Sequence, residues 1–206
     1  MTSFTDISRA SVILDADSEN PKSCDLVLRG TGETMYEVRT ENAFTLTSFR
    51  RAGEVTAFAV FERRDLLPNT ITLTESYGSQ RTTKTLKLVK WLKSPRFSSW
   101  PVELEVRGNK YVWKETDDKS RLLLYQNSTA MQAGTSPIGW FERGKRELQD
   151  NGPGVAFEWK VTNPCIVILP SAEEIVNEIV VSALLLEQKD RWLRGRPSTA
   201  LVFVWY

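Results

Sequence analysis

Ser171-Ala-Glu-Glu-Ile-Val-Asn-Glu-Ile-Val-Val-Ser-Ala-Leu-Leu-Leu-Glu187 is the stretch whose reading decides the fold. Ser171 followed three residues later by Glu174 has the form of a capping box and opens a helix. Its apolar residues Ile175, Val176, Ile179, Val180, Val181, Ala183, Leu184, Leu185 and Leu186 surround nearly the whole helix axis. In a chain outside the membrane, such a helix has to be buried on most sides. A membrane span needs about 20 apolar residues, whereas Ile175 to Leu186 is shorter and contains Asn177, Glu178 and Ser182. The run Glu187-Gln188-Lys189-Asp190-Arg191 marks where the helix emerges, with cations favourably placed near its C-terminus.

Working outward, the preceding residues change period. Short segments rich in Val, Ile, Thr and aromatics alternate apolar with polar and are punctuated by Gly, Pro, Asn and Asp, which is a strand-and-turn rhythm. It gives about twelve strands between Asp25 and Leu169, among them Lys84 to Leu92, Val102 to Arg107 and Lys110 to Glu115. Gly108-Asn109 is read as the turn of a hairpin in which Leu104 and Val106 face the core while Glu103, Glu105 and Arg107 face water. Many antiparallel strands and one all-round hydrophobic helix predict a mostly β fold: a closed barrel of about twelve strands around a central C-terminal helix. The expected organisation is a polar leader over 1–22, a barrel domain over 23–193 with the helix at about 171–191, and an apolar tail over 194–206. Leu201-Val-Phe-Val-Trp-Tyr206 reads as an extra strand, or else as a segment that docks on a partner.

The chain resembles the fungal family called domain of unknown function 6593. The matching pieces are Gly32-Glu-Thr-Met-Tyr-Glu-Val-Arg-Thr40, the Tyr111-Val-Trp113-Lys114 element, Ile138-Gly-Trp-Phe141 and the helix block, spanning about Asp25 to Arg191. That family is similar in architecture to the tubby C-terminal, LURP-one-related and scramblase-like proteins. The resemblance implies the barrel with its threaded helix and implies no site residue, because the tubby-type phosphoinositide site has no residue-by-residue match here.

Composition narrows the chemistry. The 206 residues are 41% hydrophobic and 26% charged, as in globular domains, and carry a formal net charge of +1, which argues against a nucleic-acid funnel. There is no histidine, so triads built on His and His-ligated metals are excluded. Cys24 and Cys165 fit no metal spacing or disulfide framework and read as isolated reduced thiols; no cofactor is expected. Residues 1–21 lack the apolar run of a secretory signal, and cytoplasmic residence is the expectation.

The sharpest charge feature is Arg81, Lys84, Lys87, Lys90, Lys93 and Arg96, with no acidic residue between them. It reads as a solvated strand whose lysines divide between two faces, with a patch for anionic lipid or phosphate as the alternative. Arg50-Arg51 and Arg63-Arg64 add to such a patch if the barrel brings those strand ends together. Glu103 with Glu105, and Asp117 with Asp118, are the carboxylate pairs, read as solvated turns and faces. The expected function is a non-enzymatic binding domain for anionic lipid head groups, a hydrophobic ligand or a protein. The alternatives are a histidine-independent enzyme with a barrel-mouth pocket, and a self-associating module whose tail completes a neighbour's sheet.

Overall fold

The computed structural model describes residues 7–41, 45–77, 80–95, 99–149 and 158–194. In chain order the elements are β1 (Val12–Ala16), β2 (Cys24–Leu28), β3 (Thr34–Glu41), β4 (Leu46–Arg51), β5 (Ala59–Glu62), β6 (Thr70–Tyr77) and β7 (Gln80–Lys87). There follow α1 (Leu88–Trp91), β8 (Leu92–Lys93), β9 (Val102–Val106), β10 (Asn109–Glu115), β11 (Arg121–Tyr125) and α2 (Ser128–Gln132). The chain then forms β12 (Gly139–Glu142), β13 (Lys145–Gln149), β14 (Glu158–Thr162), β15 (Cys165–Ile168), a 3-10 segment (Pro170–Ile175) and α3 (Val176–Arg194).

Thirteen strands form one antiparallel sheet in the order β7-β6-β5-β4-β3-β2-β1-β15-β12-β11-β10-β9-β8, with β13 and β14 paired separately. Alternation builds its inner face. Leu14, Val38, Phe49, Ile71, Leu104, Trp113, Leu122, Leu124, Ile166 and Ile168 are each 0% exposed and pack in one cluster with α3. The helix is buried continuously from Ile179 to Gln188; Glu187 and Gln188, expected where it emerges, are buried because Arg143 and the Pro21 carbonyl partner them. Burying one of its apolar side chains stabilises the fold by roughly 1.5–3 kcal/mol, so this helix is a principal source of stability.

The two edge strands, β7 and β8, are joined along the chain by α1 alone. Four helical residues advance about 6 Å, so the end of β7 and the start of β8 stand about one helical turn apart. No ladder joins β7 to β8 among the described residues, and the expected closure through hydrogen bonds is not what links them. The single strand expected over Lys84 to Leu92 is accordingly broken: Leu88 and Trp91, three residues apart, bury the same face of α1 where the chain crosses from one edge to the other.

Other differences have local causes. The segment read as a leader supplies β1, which pairs with β2 and β15 and buries Leu14 and Ala16. All four residues of β15 are buried because Val167 and Cys165 pack on the outer face with Trp140, under Ala10 and Ile13. The β9–β10 turn is Arg107-Gly108, at φ 49° and 83°, one residue earlier than the expected Gly108-Asn109. A two-residue primed turn needs positive φ at both central positions, and the register puts Asn109 opposite Val106. At the helix start Pro170 leads a 3-10 segment capped by no side chain, so the expected Ser171 cap is absent. Leu201 to Tyr206 lie outside the described residues.

Candidate functional site

Five of the six basic residues singled out in the sequence are described, and they do not form one surface. Arg81 sits near the start of β7 and Lys87 at its end, about 20 Å apart at strand rise. Lys84 is exposed between them, on an edge strand whose cations discourage pairing with another sheet. Lys93, half-buried in β8, is held by Glu105, with Nζ 2.7 Å from Oε2, and that hydrogen bond lowers the Glu105 pKa and raises that of Lys93. Arg96 lies outside the described residues. The arginine pairs lie at separate ends: Arg51 lines a cleft with Arg81 at one, and at the other the Arg64 and Leu88 backbones both bond to Asn69.

At the latter end, Asn69 is the node. It is 7% exposed; its Oδ1 accepts the Arg64 N–H at 2.8 Å and its backbone oxygen accepts the Leu88 N–H at 2.8 Å. The loop between β5 and β6, Arg63-Arg64-Asp65-Leu66-Leu67-Pro68-Asn69, is thereby pinned beside α1. At its apex Leu66 is 98% exposed and Leu67 61%. Arg63, Arg64, Leu66, Leu67, Lys87, Val89 and Lys90 are each within a few residues of Asn69 or of a residue bonded to it, so their backbones lie within about 15 Å of it. Arg64 pairs with Glu62 at 2.6 Å and Arg63 with Asp65 at 4.0 Å. Among the described residues, neither Lys87 nor Lys90 has a carboxylate within ion-pair distance.

At the opposite end, where α3 begins, a cleft of about 110 Å³ is lined by Arg51, Arg81 and Arg107 with Glu54, Glu75, Thr56 and Asn177. The Tyr36 hydroxyl donates to Asn177 Oδ1 at 3.1 Å. Beneath it, burial raises the pKa of Glu178, whose carboxylate lies 3.9 Å from the Arg107 guanidinium. Burial likewise raises the Tyr36 and Tyr111 phenols.

The C-terminal end of α3 is closed by a buried ion cluster that sequence reading missed. Arg143, 5% exposed, donates from Nε to Glu187 Oε2 at 2.6 Å, from Nη1 to Glu115 Oε1 at 2.7 Å and to the Lys119 carbonyl, and from Nη2 to Asp190 Oδ2 at 2.7 Å. Sequence gives no periodic signal for an arginine that pairs across 44 residues, and Glu187 stands just after the apolar run, where the helix was expected to emerge. Leu66-Leu67 was also missed; its signal was two adjacent leucines set in a turn-rich loop, outside any periodic apolar pattern.

The carboxylate pairs are structural. Glu103 faces Lys110 at 3.9 Å, and Asp118 accepts from Thr116 and Ser120, which holds its carboxyl well below the usual range. Burial pushes the Cys24 thiol up to about 12 and the Cys165 thiol to about 11, so both are protonated near neutral pH and poor nucleophiles. Among the described residues no group of acidic or sulfur ligands suits a metal ion, and no helix is long and apolar enough to cross a membrane.

The described residues thus define a mostly antiparallel β sheet packed on a buried C-terminal helix. The chain belongs to the family of unknown function DUF6593, which it matches over residues 19–192. An X-ray structure of a protein from Arabidopsis thaliana is similar at a TM-score of 0.49 and 9% identity, covering 93% of this chain and 100% of that one. No curated protein matches the chain in sequence.

Proposed function

We propose that this domain is a non-enzymatic binding module for anionic lipid surfaces, which it meets through the rim around Asn69. The observation that carries the reading is Leu66 at 98% and Leu67 at 61% exposure on a pinned loop, beside Lys87 and Lys90. Exposed apolar apices ringed by cations match a bilayer interface, where leucines enter the acyl boundary and cations stay at the head groups. Burying two leucines contributes about 3–6 kcal/mol and two lysines near anionic lipid about 2 more. The sum corresponds to dissociation constants from roughly millimolar to micromolar, which is weak, reversible docking. Anionic lipids are concentrated on the cytoplasmic leaflet, in keeping with a cytoplasmic protein.

We read the wrap as a barrel closed through α1, in the manner of the tubby C-terminal-like, LURP-one-related and scramblase-like proteins. The burial of α3 on all sides and the single turn between β7 and β8 support this.

Vesicle flotation tests the function. The protein should float with phosphatidylserine-containing vesicles and not with phosphatidylcholine alone. Lys87→Glu with Lys90→Glu should abolish flotation, and Leu66→Ser with Leu67→Ser should weaken what survives added salt. Flotation unchanged by both pairs of substitutions rejects this rim, and absence of flotation at low salt rejects lipid in favour of a protein partner.

A further inference from the structure

We propose that the cleft above the start of α3 binds a small oxyanion of the phosphate class, through Arg51, Arg81 and Arg107. This site lies at the opposite end of the sheet from Asn69 and does not depend on the lipid reading.

Three guanidinium groups reach the cleft from the end of β4, the start of β7 and the β9–β10 turn. No sequence period brings them together; the wrap of the sheet does. Each guanidinium offers a planar fork of donors that matches the paired oxygens of phosphate. Size then selects the ligand. At about 110 Å³ the cleft is well below the roughly 300 Å³ at which pockets begin to hold drug-sized molecules, so it suits a group of a few heavy atoms.

Charge selects further. Arg51 lies 3.4 Å from Glu54, and Arg107 lies 3.7 Å from Glu75 and 3.9 Å from Glu178. Arg81 differs: its Nη1 donates to the neutral Thr56 hydroxyl at 2.9 Å, and among the described residues no carboxylate reaches it. Its positive charge is therefore uncompensated at the cleft wall. An oxyanion seated there pairs with Arg81, with the Thr56 hydroxyl as a further neutral partner and the Arg51 and Arg107 side chains on the same cleft wall. Glu178, beneath the cleft, opposes the incoming charge and sets how tightly an anion is held.

Calorimetric titration with inorganic phosphate, at ionic strength balanced by chloride, tests this on the full chain. Saturable binding in the millimolar range is expected, weakened at least tenfold by Arg81→Ala, unchanged by Arg63→Ala at the far rim, and tightened by Glu178→Gln. On the wild-type protein, phosphate should shift the Nε–H resonances of Arg51, Arg81 and Arg107 and leave those of Arg63 and Arg64 in place, a readout that needs no substitution. Flotation on phosphatidic acid vesicles separates the source: Arg81→Ala leaves it unchanged if the cleft takes soluble phosphate, and abolishes it if the cleft takes lipid head groups. Absence of saturable heat, an undiminished response in Arg81→Ala, or resonance shifts confined to the far rim would overturn the proposal.

Discussion

Replacing Arg143 with leucine removes the charge around which the C-terminal end of α3 is organised. The guanidinium is 5% exposed and Glu187 1%, so the carboxylate left behind cannot recover its charge stabilisation from water. Glu187 keeps one short partner, Arg191 Nε at 2.6 Å, and a longer one, Arg194 at 3.8 Å. Breaking a buried pair costs about 3–5 kcal/mol, and the surviving arginine sets the expected loss near the lower figure, about 3 kcal/mol. For a domain of this size each kcal/mol moves the melting temperature by about 2–4 °C, so the midpoint should fall by roughly 6–12 °C. Differential scanning calorimetry near neutral pH reads this directly. Arg143→Met combined with Glu187→Met should recover part of the loss, because Glu187 is then no longer stranded while Glu115 still lacks its arginine. A single substitution that lowers the midpoint by less than about 2 °C, or a double variant whose losses simply add, would refute the assignment of the cluster as a coupled anchor.

Burial raises the Glu178 pKa, so the folded state holds its proton more tightly than the unfolded chain. Stability contributed by the protonated form should then fall as pH rises from the unfolded value of about 4.5 through the raised folded pKa. Glu178→Gln should flatten that slope and stabilise the protein at neutral pH, and urea titrations across pH check it. Trp113 and Trp140 are both buried, yet Trp113 Nε1 donates to Ser182 Oγ on α3 at 3.0 Å while Trp140 Nε1 has no partner among the described residues. Trp113→Phe should therefore cost about 1–3 kcal/mol more than Trp140→Phe in urea unfolding; equal costs would remove that hydrogen bond from the account. Cys24 and Cys165 should react with thiol reagents at pH 8 only under denaturing conditions, because both are buried and held protonated.

The first strand of the hairpin from Val102 to Glu115 was legible from its alternation and the C-terminal helix from its all-round apolar run, whereas β10 buries Tyr111, Val112 and Trp113 in succession. Val102, Leu104 and Val106 are buried in alternation, and Ile179 to Leu186 are buried all round. The crossing at Leu88–Trp91 was not legible, since Leu86 and Leu88, with Lys87 between them, continue the alternation of β7 on paper. Only the three-residue spacing of Leu88 and Trp91 distinguishes a helical turn there. The basic stripe is spread rather than gathered: β7 separates Arg81 from Lys87 by about 20 Å, and α1 carries Lys90 past the end of that strand. Which arginine pair lies at which end depends on the order of all thirteen strands in the sheet, information that no local window contains.

The most direct test of lipid docking uses the two buried cysteines as silent positions. A cysteine at Leu66 and, separately, one at Val55, which is 93% exposed on the loop that borders the arginine cleft, each accept an environment-sensitive fluorophore in the native protein. With phosphatidylserine-containing vesicles, the account predicts a blue shift and quenching by lipid-borne quenchers for the probe at Leu66, and no change for the probe at Val55. A shift at Val55 alone would invert the docking orientation, and silence at both positions while the protein floats would contradict insertion of the leucine apex.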